Sequence, residues 1–348
     1  MQTILVTGGT GFIGSHTCVN LLLKGYRVII LDSYENSSEL ILKKLRLLIQ
    51  KIDSNLLGNL SFHKGDIRDK EILEKIFYLA KVNNNPIKGV IHFAGLKAVG
   101  ESVTDPLRYW DFNFIGTLRL LESMEKFDCR TIIFSSSATI YGYPKTSFLR
   151  ENNEIKPFNP YGYTKASIEI LLKNVFESKP NLWRIANLRY FNPIGAHESG
   201  LLGEDQKGNP DNIFPFITKV AAKKIDKLSI FGKDWETEDG TGVRDYIHVM
   251  DLAEGHILSL EFLLQNKSRI INLNIGTGTG TSVLQLVNTF KEVNKIDLPY
   301  IFAKRRPGDV PRLVADNSLA CSLLNWKPKK SIEDMCRDGW RWQLNNLN

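Results

Sequence analysis

The chain has 348 residues, 43% apolar and 24% charged, which is ordinary globular composition and excludes a disordered chain; the length suits a nucleotide-binding domain plus a second, smaller one. Lys and Arg outnumber Asp and Glu by 45 to 38, a balance that suits a diphosphate-bearing ligand and equally a well-solvated surface, and with no basic run interleaved with aromatics we expect no nucleic-acid partner. The cysteines, Cys18, Cys129, Cys321 and Cys336, form no C-x-x-C pair, so neither a metal site nor a disulfide framework is expected; no apolar run reaches membrane-spanning length and no secretory signal precedes the first strand pattern, so the expectation is a cytoplasmic protein with no membrane contact.

Thr3 to Thr7 reads as a strand, followed by a Gly-rich turn and a helix from Ile13 to Leu23 that Gly25 ends. Further strands are expected at Val28–Leu31, Leu60–Phe62, Gly89–His92, Thr131–Phe134 and Ala186–Arg189, with helical patterns between them. Continuous apolar runs of this length fit strands buried on both faces, and the strand–helix alternation predicts an α/β fold with a doubly wound, Rossmann-type parallel sheet. Residues 195–212 are rich in Gly, Asn, Asp and Pro and read as loop. We expect residues 1–190 to bind the dinucleotide and 191–348 to form a smaller, interwoven substrate domain. A late strand near 270–276 is expected to rejoin the main sheet.

The first motif is Thr7-Gly8-Gly9-Thr10-Gly11-Phe12-Ile13-Gly14, between a strand and a helix. Glycine permits the tight turn and close backbone approach to a pyrophosphate, and the helix behind it directs its free N–H groups and positive dipole end at the anion. Asp32 ends the second strand, where a carboxylate accepts from both adenosine ribose hydroxyls and repels a 2′-phosphate. No Arg or Lys lies between Asp32 and Leu42, so NAD is the expected cofactor rather than NADP. Asp66, in Gly65-Asp66-Ile67-Arg68, is expected to end the third strand, where it is placed to reach the adenine amino group; a turn-capping Asp is the rival reading.

The second motif is Tyr161-Gly162-Tyr163-Thr164-Lys165. Tyr161 and Lys165, four apart, share a helix face, whereas Tyr163 faces elsewhere. A free tyrosine titrates at about 10, too high for a base at neutral pH, unless a nearby cation stabilises the phenolate. The spacing alone also fits a plain amphipathic helix. The third motif, Ser135-Ser136-Ser137-Ala138-Thr139-Ile140-Tyr141-Gly142, follows the Thr131–Phe134 strand. Hydroxyls at the carboxyl end of a parallel strand face the ligand crevice, and Ser137 can relay a hydrogen bond between a sugar hydroxyl and Tyr161.

With these motifs in order, the chain resembles the UDP-glucose 4-epimerase family of extended short-chain dehydrogenases/reductases over nearly its whole length. The shared stretches include Thr7–His16, His92–Ser102, Ser135–Gly142, Leu188–Pro193, Gly240–His248 and Arg305-Arg306-Pro307-Gly308-Asp309. The resemblance implies an NAD-dependent UDP-hexose 4-epimerase with Ser137, Tyr161 and Lys165 catalytic, and a homodimer. It implies that Gly8, Gly11, Phe12, Ile13, Gly14, Asp32, Asp66, Ile67, Phe93, Ala94, Gly95, Lys97, Asn113, Ser135, Tyr161, Lys165 and Tyr190 hold the cofactor. Ser137, Asn192, Asn212, Phe231, Arg244, Arg306, Asp309 and Leu313 would meet the UDP-sugar, with Phe231 against uracil and the guanidiniums suited to the diphosphate.

The chain departs from the family pattern in three places. Phe112 replaces one residue of a common Asn pair, leaving Asn113; residues 34–60 are longer; and Leu313 stands where a Tyr often closes the sugar pocket. A sugar-nucleotide 4,6-dehydratase is the nearest rival, but related dehydratases carry an Asp-Glu pair after the Ser or Thr of the third motif. This chain has Ala138 and Thr139, or Thr139 and Ile140 in the other register. A dehydrogenase releasing NADH and a non-catalytic NAD-binding regulator are the remaining alternatives.

Overall fold

The computed structural model describes residues 1–144, 146, 148–205, 207, 212–306 and 308–347. Its centre is a seven-stranded, all-parallel sheet. Numbering only the strands of this sheet, β1 is Thr3–Thr7, β2 Arg27–Asp32, β3 Leu60–Lys64, β4 Ile87–His92, β5 Thr131–Ser137, β6 Arg184–Tyr190 and β7 Arg269–Ile275. The spatial order is β7-β6-β5-β4-β1-β2-β3, so the direction of winding reverses between β1 and β4. A crevice opens at such a reversal, outside the carboxyl ends of the strands.

Side chains alternate across the sheet, and both faces are covered. Ile4, Val6, Val28, Ile30, Ile91 and Ile133 pack on one face with Leu252, Ile257 and Leu260 of the helix Val249–Gln265. Leu5, Ile29, Leu31, Val90, Ile132 and Phe134 pack on the other, with Ile168 and Leu172 of the helix Pro160–Ser178. Two buried faces are why these strands read as unbroken apolar runs.

Two boundaries differ from expectation. The third-motif strand does not stop at Phe134 but runs through Ser137, because Ser135, Ser136 and Ser137 pair with Leu188, Arg189 and Tyr190 of β6. Ladder bonds there override the weak strand preference of three serines. Asp66 lies beyond β3, which ends at Lys64, in the turn leading to the helix Lys70–Val82.

The 34–60 segment holds the helix Glu39–Ile52 and a 3-10 turn at Ser54–Asn59. Ile41, Leu42, Leu45, Leu48 and Ile49 of that helix are buried against the sheet core. β7 pairs along its length with β6, from Arg269 with Arg184 to Ile275 with Tyr190. The late part of the chain also builds a small second core of Phe214, Ile217, Leu286, Phe290 and Met335. Of the 195–212 segment, residues 206 and 208–211 lie outside the described residues, as does Pro307 of the Arg305–Asp309 motif; 195–205 carries no helix or strand.

Candidate active site

One cavity of about 800 Å³ runs from the Gly8–Gly14 turn, past the ends of β4 and β5, to Arg244 and Arg306, within the size range of small-molecule sites. Every site residue expected from the sequence lines it except Asn113. Asn113 is buried behind the wall: its Oδ1 accepts from Leu96 N at 2.7 Å and its Nδ2 donates to Leu96 O and to Thr164. It therefore shapes the loop carrying Gly95 and Lys97 and does not face the cavity. Its neighbour Phe112 does face it, with the Arg68 guanidinium 3.5 Å from the ring centroid.

The glycine turn is as crowded as the motif implies. Gly8 has φ +70°, and a Cβ there would lie 2.6 Å from Ala94 N; a Cβ on Gly14 would overlap Gly8 O. The helix Phe12–Leu23 begins after Gly11, which has no side chain to cap it, leaving first-turn N–H groups to an anion. Asp32 accepts from Thr10 N (3.0 Å), Tyr34 N (2.9 Å) and Ser37 Oγ (3.1 Å). Two carboxylate oxygens offer about four lone-pair sites, so about one remains for a ribose hydroxyl. Asp66, in contrast, is engaged by Arg68 Nε at 3.1 Å and Nη2 at 2.7 Å. The crowded turn, the uncapped helix end and the remaining acceptor site of Asp32 together fit a dinucleotide.

At the middle of the cavity the helix Pro160–Ser178, capped by Asn159 through Gly162 N (2.8 Å), presents Tyr161 and Lys165 to the end of β5. Lys165 Nζ donates to Ser135 O at 2.7 Å and sits 5.8 Å from the Tyr161 ring centroid. Ser137 Oγ accepts from Thr139 N (3.2 Å) and Thr139 Oγ1 (2.9 Å), so its own proton is free to serve Tyr161, which stands beside it on the cavity wall. Burial pushes the Tyr161 phenol above its ordinary value, and the neighbouring Ser137 hydroxyl offsets only part of that rise. Burial alone lowers Lys165 to about 7. Tyr163 is 49% exposed and away from the cavity.

Tyr190 is held from behind. His256 Nδ1 bonds Leu252 O (2.8 Å), which leaves Nε2 to accept from the Tyr190 hydroxyl. Lys97 reaches Glu204 at 2.8 Å. At the far end, Arg306 lies over the Phe231 ring (4.5 Å), and Asp309 meets both Arg306 (3.6 Å) and Arg244 (3.4 Å). Leu313, on the strand Arg312–Ala315, lines the cavity and also packs on Ile140, Tyr141 and Phe191. Sequence reasoning missed Trp235, Phe158 and Glu35 on the wall. Trp235 carried one legible signal, a lone aromatic in a polar, Gly-containing stretch; the others carried none.

The chain matches the family profile described as GDP-mannose 4,6 dehydratase over residues 5–339. It is 48% identical over 347 residues to the UDP-glucose 4-epimerase of Bacillus subtilis (strain 168), covering 100% of this chain and 98% of that one. It is 48% identical over 345 residues to UDP-glucose 4-epimerase 2 of Arabidopsis thaliana, covering 99% and 96%. Among solved structures, the UDP-glucose 4-epimerase from Bifidobacterium longum in complex with NAD+ and UDP superposes with a TM-score of 0.91 at 44% identity, over 99% of each chain. Likeness of this extent in sequence and in fold shows that the chain belongs to the UDP-glucose 4-epimerase family.

Proposed function

We propose that the protein interconverts UDP-glucose and UDP-galactose through a transient 4-keto sugar, with NAD bound. The carrying observation is the meeting of Tyr161, Ser137 and Lys165 at the middle of one cavity, between the glycine turn and the Arg244–Arg306 pair. The full-length relatives named as UDP-glucose 4-epimerases, and the NAD and UDP bound in the Bifidobacterium longum enzyme, support the same reading. Residues 1–190 serve the dinucleotide and 191–348 the nucleotide sugar.

Inverting a secondary alcohol with no acidic neighbouring C–H is hard by acid–base chemistry alone, and reversible oxidation removes the difficulty. NAD, when bound, supplies the reversible hydride acceptor. Tyr161 Oη takes the proton of the sugar 4-hydroxyl and later returns it. Ser137 bridges that hydroxyl and Tyr161, and as a donor to the phenolate it favours the charged form. Lys165 holds positive charge beside Tyr161 and orients the cofactor ribose, while its bond to Ser135 O fixes it in place. The neutral forms of Tyr161 and Lys165 that burial favours belong to the ligand-free cavity; the charged pair belongs to the loaded one. Arg244 and Arg306 hold the diphosphate, Phe231 flanks uracil, and Asn192, Asn212 and Asp309 bind the rest of the nucleotide. That anchor leaves the 4-keto hexose free to turn over. A dehydratase needs a carboxyl beside Ser137, where this chain has Ala138 and the Thr139 hydroxyl.

The test is UDP-galactose with purified protein and no added cofactor. UDP-glucose should form, without net oxidation, and denatured protein should release NAD. Accumulating NADH, a dehydrated product, or no turnover after reconstitution with NAD overturns the assignment. A second reading concerns breadth. Leu313 borders the cavity and lacks a ring, so the pocket admits a larger C2 substituent, and we propose that UDP-N-acetylhexoses are also accepted. Leu313→Tyr should lower kcat/KM for UDP-N-acetylgalactosamine relative to UDP-galactose by about 10- to 100-fold, the scale of crowding a packed pocket. An unchanged ratio places selectivity elsewhere.

Two features support assembly and location. Val103, Leu107 and Ile170 are exposed on the neighbouring helices Val99–Thr104, Pro106–Tyr109 and Pro160–Ser178, an apolar face that a second copy of the chain covers in a homodimer. All the cysteines are free thiols, which suits the reducing cytoplasm.

A further inference from the structure

The helix that carries Tyr161 and Lys165 is tied to the sheet by a buried ionic cluster that the proposed chemistry does not use. Ser136 of β5 and Arg189 of β6 are direct register partners. Both point to the face covered by the helix Pro160–Ser178, and both end on one carboxylate, Glu169. Ser136 Oγ donates to Glu169 Oε1 at 2.5 Å; Arg189 Nε donates to the same oxygen at 3.0 Å and Nη2 to Oε2 at 2.7 Å. Arg189 Nη1 is also spent, on Tyr141 Oη (2.9 Å) and Glu151 O (2.8 Å). The whole cluster is buried.

Burying a pair of charges costs solvation, and apolar side chains of similar volume would hold helix to sheet at least as strongly. Directional bonds provide something apolar packing does not, a single register. The placement of the cluster makes register the relevant quantity. Glu169 is one helical turn beyond Lys165 and two beyond Tyr161. Ser136 sits between Ser135, whose carbonyl holds Lys165, and Ser137, which stands beside Tyr161 on the cavity wall. Arg189 precedes Tyr190 on the cavity wall. A slide of the helix by a fraction of a turn would break the Lys165–Ser135 bond and draw Tyr161 away from Ser137 while leaving the apolar contacts of Ile168 and Leu172 largely in place.

We infer that Glu169, gripped by Ser136 and Arg189, is a positioning clamp that sets the helix Pro160–Ser178 in register with β5 and so holds Tyr161 on Ser137 and Lys165 on Ser135. Glu169 and Arg189 do not line the cavity, and Ser136, which borders it, spends its hydroxyl on Glu169; the three act through the residues beside them. The inference rests on the epimerase reading of the site, so the parent protein's turnover of UDP-galactose is established first. Absence of turnover there rejects that reading and not the clamp alone.

Ser136→Ala is the informative variant, because it removes one arm of the clamp and leaves the Arg189–Glu169 ion pair and the fold intact. The expected result is a fall in kcat of about tenfold, the scale of a sub-ångström misplacement of reacting groups, with KM for UDP-galactose and the content of bound NAD within about twofold of the parent. Ser136→Thr restores the hydroxyl and should recover most of the loss. A kcat for Ser136→Ala within twofold of the parent overturns the inference. So does a loss matched by a rise in KM or by loss of NAD, which would mark general loosening, and so does a Ser136→Thr variant as slow as Ser136→Ala.

Discussion

Tyr161 and Tyr163 have the same side chain two positions apart, and helix geometry gives them different surroundings. Tyr161 stands beside Ser137 on the cavity wall, while Tyr163 is half exposed. Tyr161→Phe keeps the ring and removes only the base, so kcat should drop at least about 100-fold with the fold and bound NAD retained. Tyr163→Phe should stay close to the parent; equal losses in the two variants would refute the assignment. Lys165 gives a pH prediction. Its folded value of about 7 lies below the ordinary 10.5. Between those values the unfolded chain holds a proton that the folded chain does not, so stability rises with pH across the window, and the penalty for burying the ammonium is complete below it. In NAD-stripped protein, Lys165→Met should therefore raise Tm most at about pH 6, with the gain shrinking towards about pH 10. Loss of the bond to Ser135 lowers the variant by a roughly constant amount, so the diagnostic is the slope. A difference independent of pH would show that Lys165 is charged at neutral pH in the empty cavity.

Among the elements, the strand–turn–helix from β1 into Phe12–Leu23 is the most constrained. Gly14 packs on the Gly8 carbonyl, and a methyl group there must push the helix off the turn. Gly14→Ala should lose most of its bound NAD, assayed as nucleotide released on denaturation. Gly58→Ala, at a position with nothing within 4 Å of the new Cβ, should retain it. Full NAD occupancy in Gly14→Ala would mean that the cradle is elsewhere. The β5 end shows the converse case. Three serines in a row carry little strand preference, yet neighbouring β6 holds them extended to Ser137, and this delivers Ser137 to Tyr161. The same pairing sets Ser136 against Arg189.

For the whole molecule, the proposed homodimer is tested at the exposed apolar side chains of the neighbouring helices. Leu107 is 80% exposed and Ile170 60%, and apolar side chains exposed on adjoining helices are the kind of surface that a second copy would cover. The native mass should be twice the 39.5 kDa of the chain. Leu107→Glu places charge in that face and should shift the protein towards monomer in light scattering. A dimer of undiminished stability would move the interface to another surface.

The order of strands and helices, the glycine turn, Asp32, and Tyr161 with Lys165 were legible in the amino-acid sequence because each depends on local spacing: apolar period, turn chemistry and helix pitch act over a few residues. The resemblance added Arg244, Arg306, Asp309 and Leu313, which no local rule marks. Only the tertiary structure placed Asn113 behind the cavity wall, bound Asp66 to Arg68, and brought Trp235, Phe158 and Glu35 onto the wall. It alone joined Ser136, Glu169 and Arg189, which are 33 and 20 residues apart along the chain. Such contacts are fixed by how the sheet winds and how the helices pack on it, and a side chain's spacing to its sequence neighbours holds no record of a partner that reaches it from another element.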